Sequence, residues 1–278
     1  MLNLPESIVN KLNSALSQLP KGQSAKVRKT TFEGALNHTL FIETESDRYV
    51  FRTRRESSAE EIEEYMRYMY EVMGLFGVGG IFKLRTIAEE IQFMENALAF
   101  SLPVPQIICS DRDWIVMEFI QGKTLHESVK KGDIETVFAV LQEMNLAHQH
   151  GIIYGDRWGD NELIDDRGNV RLIDFDIEWD YQGSETGVLE ALEMAVTLFN
   201  SLRLTVVREE FLHFVKSKIV PWLQSSGYDL QKIAMFVEGL GNFYLDPAKP
   251  RNIWSLPPSL YLTLKEPRDR LVALLTKV

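Results

Sequence analysis

Cysteine is nearly absent from this chain. Cys109 stands alone, so no internal disulfide can form, and a reducing, cytoplasmic setting is expected. It lies in the apolar run QIICS, where its thiol reads as a buried packing group and not a nucleophile. Long hydrophobic runs are missing too, which argues against a helical membrane span. The opening residues MLNLPESIVNKLNSAL lack the basic-then-apolar profile of a signal peptide and predict an amphipathic helix over 4–18. Positive charge is in deficit: 30 Lys and Arg against 40 Asp and Glu give a net charge of −10. That disfavours a general nucleic-acid backbone binder, and suits a cationic or metal-bound substrate as readily as plain solubility. No repeat or low-complexity linker is present, and 278 residues suffice for one large domain or two lobes with separate cores.

Patterning changes along the chain. KVRKTTF, HTLFIET and RYVFRTR, broken by EGALN and ESD, predict three antiparallel strands between 26 and 54. Ser58 with Glu61 forms a capping-box pattern that opens the helix EEIEEYMRYMYEVMGLF, whose Met66, Met69 and Met73 share one face. GVGG interrupts it, and Ile87, Ile91, Met94 and Leu98 predict a second helix over about 83–99. LPVPQIICSD and DWIVMEFI predict two further strands, with Trp114 as a packing residue. Beyond Gln121-Gly122-Lys123 the pattern turns helical at about 125–131 and 133–150, and again toward the C-terminus. The expected fold class is α+β: an N-terminal lobe, 1–120, with an antiparallel five-stranded sheet and a helix, and a mostly helical C-terminal lobe, 121–278.

Between those helices lies GDRWGDNELIDDRGNVRLIDFD, with seven carboxylates in 22 residues. Crowded like charges repel, so a cation is expected among them. ELI and VRLI are short apolar strands, and DDRGN has the composition of a tight hairpin turn. Closing the hairpin returns Asp174 to the level of Asn161, with Asp156 on the approaching loop. Hard oxygen donors then converge, which magnesium prefers, and a free carboxylate nearby can orient or deprotonate a hydroxyl for in-line attack on a phosphoryl group.

Asp156-x-x-x-x-Asn161 followed by Asp174-Phe175 resembles the protein-kinase-like superfamily, on the aminoglycoside and choline phosphotransferase side. The resemblance runs through most of the chain. FEGALNHTLFIET is similar to the family's loop over nucleotide phosphates, YVFR to the strand ending in a phosphate-binding cation, and AEEIQFMENA to the helix whose Glu pairs with that cation. LPVPQII and WIVMEFIQGKTL resemble the strand and hinge that cup adenine, LAHQHGIIYGD the entry to the catalytic loop, and LEMAVTL, with Glu193, a later family helix. The departures are Arg52 where Lys is usual, Tyr154 for His, Asp176 for Gly, a nucleotide loop holding only Gly34, and a long insertion over 56–82.

The resemblance implies transfer of a γ-phosphate from ATP, or GTP, with magnesium. Asp156 would be catalytic, Asn161 and Asp174 would hold the metal, and Arg52 with Glu90 would position the phosphates. Gly34 to Asn37 would cover them, and Met117, Glu118, Phe119 and Ile120 would line the adenine site. Strand alternation puts Val50, Arg52 and Arg54 on one face, so Arg54 competes with Arg52, as Glu89 does with Glu90. Asn37 is a turn residue in either case, and Asp176 is either a second metal contact or a turn polar group. Asp160 is expected to point away, Trp179 to pack, and His148 and His150 to serve as cations at a helix C-terminus. The expected partners are a nucleotide and a small hydroxyl-bearing acceptor, with neither nucleic acid nor membrane. No APE-like anchor follows Asp174, which favours that acceptor over the alternative of an atypical protein Ser/Thr kinase. A nucleotide-binding pseudokinase scaffold is the other alternative.

Overall fold

Ile8, Leu12 and Ala15 recur at helical spacing and form the buried stripe of helix α1 (Glu6–Gln18). The structure, a computed structural model, describes residues 4–20, 22–29, 36–55, 64, 67, 80–181, 183, 185–245 and 258–277. After α1 come strands β1 (Lys26–Lys29), β2 (Asn37–Glu43) and β3 (Arg48–Arg54), then β4 (Gly80–Leu84), helix α2 (Ile87–Ala99), β5 (Ile107–Asp111) and β6 (Trp114–Glu118). All of these strands but β4 make one antiparallel sheet in the order β1-β2-β3-β6-β5. Its two faces are buried differently. Leu40, Ile42, Phe51, Trp114 and Val116 pack under α1, while Ile115 and Met117 join the large core that runs through α2 into the helical half. Cys109 is half-buried at the edge of the α1 cluster, and burial raises its thiol pKa. The helix expected from Ser58, with its methionines, lies outside the described residues apart from Glu64 and Arg67, which are helical.

The second helix begins later than its apolar period suggests. Residues 80–84 form β4, which pairs antiparallel with β10 (Ile177–Tyr181) across nearly a hundred residues of chain. GIFKL has strand composition, and the helix starts where Thr86 caps it: the Thr86 hydroxyl accepts from the Glu89 amide, and the Glu89 carboxylate accepts from the Thr86 amide.

Past β6 the chain enters β7 (Gly122–Thr124), α3 (Leu125–Lys130), α4 (Glu135–Gln149), the hairpin β8 (Glu162–Asp165) and β9 (Val170–Leu172), β10, and then α5 (Val188–Leu204). Strands β7, β8 and β9 form a small sheet. Gly122 is required there, because a Cβ would stand 2.4 Å from the Ile164 carbonyl oxygen. Helix α5 is buried on nearly every side and packs against α6 (Arg208–Phe214), α8 (Leu230–Leu245) and α9 (Pro258–Thr276), with α7 (Val220–Ser225) set against α8.

Candidate active site

Strand β3 and helix α2 build the sheet side of the cleft. Alternation along β3 turns Phe51 toward α1 and Arg52 toward α2, where Arg52 is only 5% exposed. Its guanidinium binds the Glu90 carboxylate on one side and Asp174 Oδ1 at 2.8 Å on the other. Glu89 points elsewhere, committed to the Thr86 cap and to Lys83 at 2.7 Å. Lys83 and the cap together hold its pKa down to about 2. The capping box therefore decides between the two glutamates. Arg54, on the same face as Arg52, makes a second set of contacts: Asn37 Oδ1 at 2.7 Å, Asp176 Oδ2 at 3.2 Å, Glu90 Oε2 at 3.7 Å and the Arg85 carbonyl. Asn37 is buried and donates to Asp176 Oδ2 at 2.9 Å, so it ties the start of β2 to the segment after Asp174. Gly34 lies outside the described residues.

On the opposite side, α4 delivers the loop 151–161. Gly155 takes φ +97°, and a Cβ there would meet the Ile177 carbonyl oxygen at 2.2 Å. Its amide donates to Glu193 on α5, and Glu193 also pairs with His148 at 2.8 Å. His148, in the last turn of α4, also reaches the Tyr228 hydroxyl at 2.7 Å, so it is locked into a side-chain network with Glu193. Tyr154 is buried against Phe175 and Phe93. Asp160 is 64% exposed and meets His126 at 2.7 Å, away from the cleft. Trp114 and Trp179 are both buried.

The hairpin closes as its composition suggests. Asp165 Oδ1 accepts the amides of Arg167 and Asn169, Gly168 takes φ +84°, and the Ile173 amide donates to the Asn161 carbonyl at 2.9 Å. Asn161 and Asp174 thus sit side by side at the strand ends. The Asn161 amide group donates to the Asp156 carbonyl at 2.9 Å and approaches Asp156 Oδ2 at 3.4 Å. Asp174 has φ +62°, a left-handed backbone that L-residues adopt at some cost and that Asn and Asp tolerate best.

Two residues that motif reading passed over organise this corner. Arg157 has no exposed surface and donates to the carbonyls of Asn161 at 3.3 Å, Ile173 at 3.0 Å, and Asp174. Arg85, also buried, donates to the carbonyls of Phe175 at 2.9 Å and Ile177 at 3.0 Å and stacks over Phe93. An Arg beside an acidic motif gives no sequence cue that it will turn inward.

The carboxylates divide by their neighbours. Burial pushes Asp156 up to about 7, against the pull of Arg157, and Asp176, Asp174 and Glu162 add to the rise. Burial would also raise Asp174, but Arg52, Arg157 and Arg54 outweigh it and hold that carboxyl below its ordinary value. Burial and the charge of Asp174 raise Asp176. A carboxyl near neutrality beside one kept ionised is the arrangement that separates a proton acceptor from a cation ligand.

The donor set suits magnesium. Asp174, with 36% of its side chain exposed, and the amide oxygen of Asn161 are hard donors that would hold such an ion together with water and phosphate. Among the described residues no three His, Cys, Asp or Glu side chains cluster as a closed metal cage. At the hinge, Met117 is buried, Glu118 pairs with Arg171, and Phe119 packs edge-on to Phe41 under Arg48. A cavity of about 250 Å³ lies between residues 118–121 and the hairpin turn 165–167, and it includes none of Asp156, Asn161 or Asp174.

Comparison with known proteins places this architecture. Residues 50–197 match the family model of the RIO domain, which takes in β3 through most of α5. Similar proteins include a probable serine/threonine-protein kinase PknB of Lactococcus lactis, 36% identical over 73 residues, 24% of this chain and 12% of that protein. Serine/threonine-protein kinase PAK 4 of Homo sapiens is 35% identical over 74 residues, again 24% of this chain and 12% of its own. Serine/threonine-protein kinase SMU1 of Mycosarcoma maydis is 37% identical over 68 residues, 22% and 9%. These matches span only a small part of each kinase. The matching family differs from the aminoglycoside and choline phosphotransferases that the loop resembles, within one protein-kinase-like superfamily. With the match covering more than half of its length, the chain belongs to the RIO domain family of protein-kinase-like atypical kinases.

Proposed function

We propose that this protein is a kinase-like phosphotransferase that moves the γ-phosphate of ATP, or GTP, to a hydroxyl acceptor. The observation that carries this reading is the meeting of Arg52, paired to Glu90, with Asp174 beside Asn161 and Asp156 in one cleft. Arg52 and the neighbouring Arg54 present cationic groups to nucleotide phosphates, and Arg can engage them bidentately. Asn161 and Asp174 would hold magnesium, whose chemistry when bound is to bridge and neutralise phosphate oxygens. Asp156, with no cation bonded to its side chain among the described residues and a pKa near 7, receives or attracts the proton of the attacking hydroxyl. Adenine would lie along the hinge, Met117 to Ile120, between an N-terminal lobe ending near 120 and a helical lobe from 121.

The acceptor we favour is a small molecule. Only about six residues separate β10 from α5, so the segment after the Asp-Phe pair is short and is itself zipped onto β4. The serine/threonine kinases among the similar proteins support a protein acceptor as the second reading. Phosphate transfer measured across small hydroxyl acceptors and Ser/Thr peptides, with wild type beside Asp156→Asn, separates the two. Absence of any Asp156-dependent nucleotide turnover would overturn both in favour of a nucleotide-binding scaffold.

A further inference from the structure

Arg157 follows the proposed catalytic residue directly, yet it does not reach the cleft. It is wholly buried, and its guanidinium donates to three main-chain carbonyls, those of Asn161, Ile173 and Asp174. Two of these belong to the proposed metal ligands, and the third links them. The guanidinium carbon lies over the rings of Phe175, at 5.3 Å from the centroid, and Tyr154, at 5.9 Å. Its one nearby counter-charge among the described ion pairs is Glu162, equally buried, with Oε1 at 3.6 Å from Nη1. Neither Glu162 oxygen makes a hydrogen bond of good geometry among the described residues. A buried ion pair this loose adds little to folding and is often replaceable by apolar groups. The carbonyl contacts are the specific part. They join the end of the catalytic loop to the end of β9 just where Asp174 holds its left-handed backbone.

We propose that Arg157, with Glu162 as its buried counter-ion, is the positioning residue of the metal site: it clamps the Asn161 and Asp174 backbones so that their side chains stay side by side. This rests on the magnesium site proposed above. A lysine could supply the charge but not the three-way fork, and a neutral residue could supply neither.

The test is isothermal titration of ADP with and without magnesium, on wild type, Arg157→Lys, Arg157→Met and the double variant Arg157→Met/Glu162→Leu, with melting curves for each. The double variant removes both buried charges and so keeps the fold available if Arg157→Met alone does not fold. In wild type, magnesium should strengthen ADP binding. In the folded neutral variants that enhancement should fall about 10- to 100-fold while metal-free ADP affinity stays within about twofold, with Arg157→Lys in between. Electron paramagnetic resonance of manganese in the ADP complex should broaden in step. Wild-type enhancement in a folded neutral variant overturns the positioning role alone. Failure of the double variant to fold, with full enhancement in Arg157→Lys, also overturns it, since the pair would then serve folding only. No enhancement in wild type overturns the magnesium site itself, and the proposal with it.

Discussion

On the sheet side of the cleft, Arg52 and Arg54 meet Glu90, Asp174 and Asp176 through side-chain ion pairs; on the helical side, Arg157 is occupied by main-chain carbonyls. The two clusters hold similar charges and treat their carboxylates differently. Asp174, with Arg52, Arg157 and Arg54 all close, is held below its ordinary value, whereas burial and the charge of Asp174 raise Asp176 in spite of its pair with Arg54. Around Arg157, whose hydrogen bonds go to backbone, desolvation outweighs its charge, and Asp156 and Glu162 both rise to about 7. Under the proposed function, one side would offer fixed charge to phosphates and metal, and the other a carboxyl that titrates near 7. How many cations stand close to each acid, set against how deeply it is buried, makes the difference.

The largest expected effect comes from neutralising Asp156, which has no ion pair among the described residues. Asp156→Asn should lower turnover by about 10²–10⁴ in a coupled ADP-release assay, the range for removal of a general base, with nucleotide affinity little changed. Asp160→Asn should leave turnover nearly intact, because that residue faces His126 and solvent. Equal losses would erase the contrast between the clusters.

On the sheet side, Arg52→Ala should cost about 3–5 kcal/mol of stability, since it strands buried Glu90, and should weaken nucleotide binding as well. Arg54→Ala should cost less in binding but should loosen Asn37 and Asp176 together, detectable as faster hydrogen exchange at the start of β2. Denaturant melts and calorimetry on both variants decide which Arg carries the phosphate contact.

Asp174→Asn should abolish the magnesium dependence of nucleotide binding with the fold kept, because Asn tolerates the left-handed backbone. Asp174→Ala should lose about 1–2 kcal/mol of stability in addition. Calorimetry and melting of the two variants separate charge from conformation.

The pH response should differ in sign between function and stability. Asp156 has its pKa raised from an ordinary 3.8 to about 7, so the ionised form that accepts a proton appears only as pH climbs through 7, and turnover should rise there. The same shift means that folding favours the neutral acid, so its stabilising contribution is complete below about pH 4 and lost as pH rises through 7. Asp156→Asn should flatten both trends in a pH–rate profile and a set of pH-dependent melts.

Smallest should be the loss of the α2 cap. Thr86→Ala removes one member of the capping box and should cost about 1 kcal/mol in a thermal melt. It should also free Glu89 to compete with Glu90 for Arg52, which a modest loss of nucleotide affinity would report.

Much of the site was legible in the chain because it is local. The spacing from Asp156 to Asn161, the DDRGN turn and the short apolar strands bring Asn161 and Asp174 together within 14 residues, and a period of two puts Arg52 and Arg54 on one face of β3. The capping box over Thr86 to Glu89 was equally local, and reading it would have placed the start of α2 and singled out Glu90. The rest was decided by tertiary structure. The pairing of β4 with β10, the inward turn of Arg157 and Arg85, the bond from Asn37 to Asp176 and the capture of His148 by Glu193 and Tyr228 all join distant segments or depend on burial. Residue type says that a side chain can donate or accept, but its partner and its pKa follow from which groups folding removes from water together, and that is a property of the assembled core.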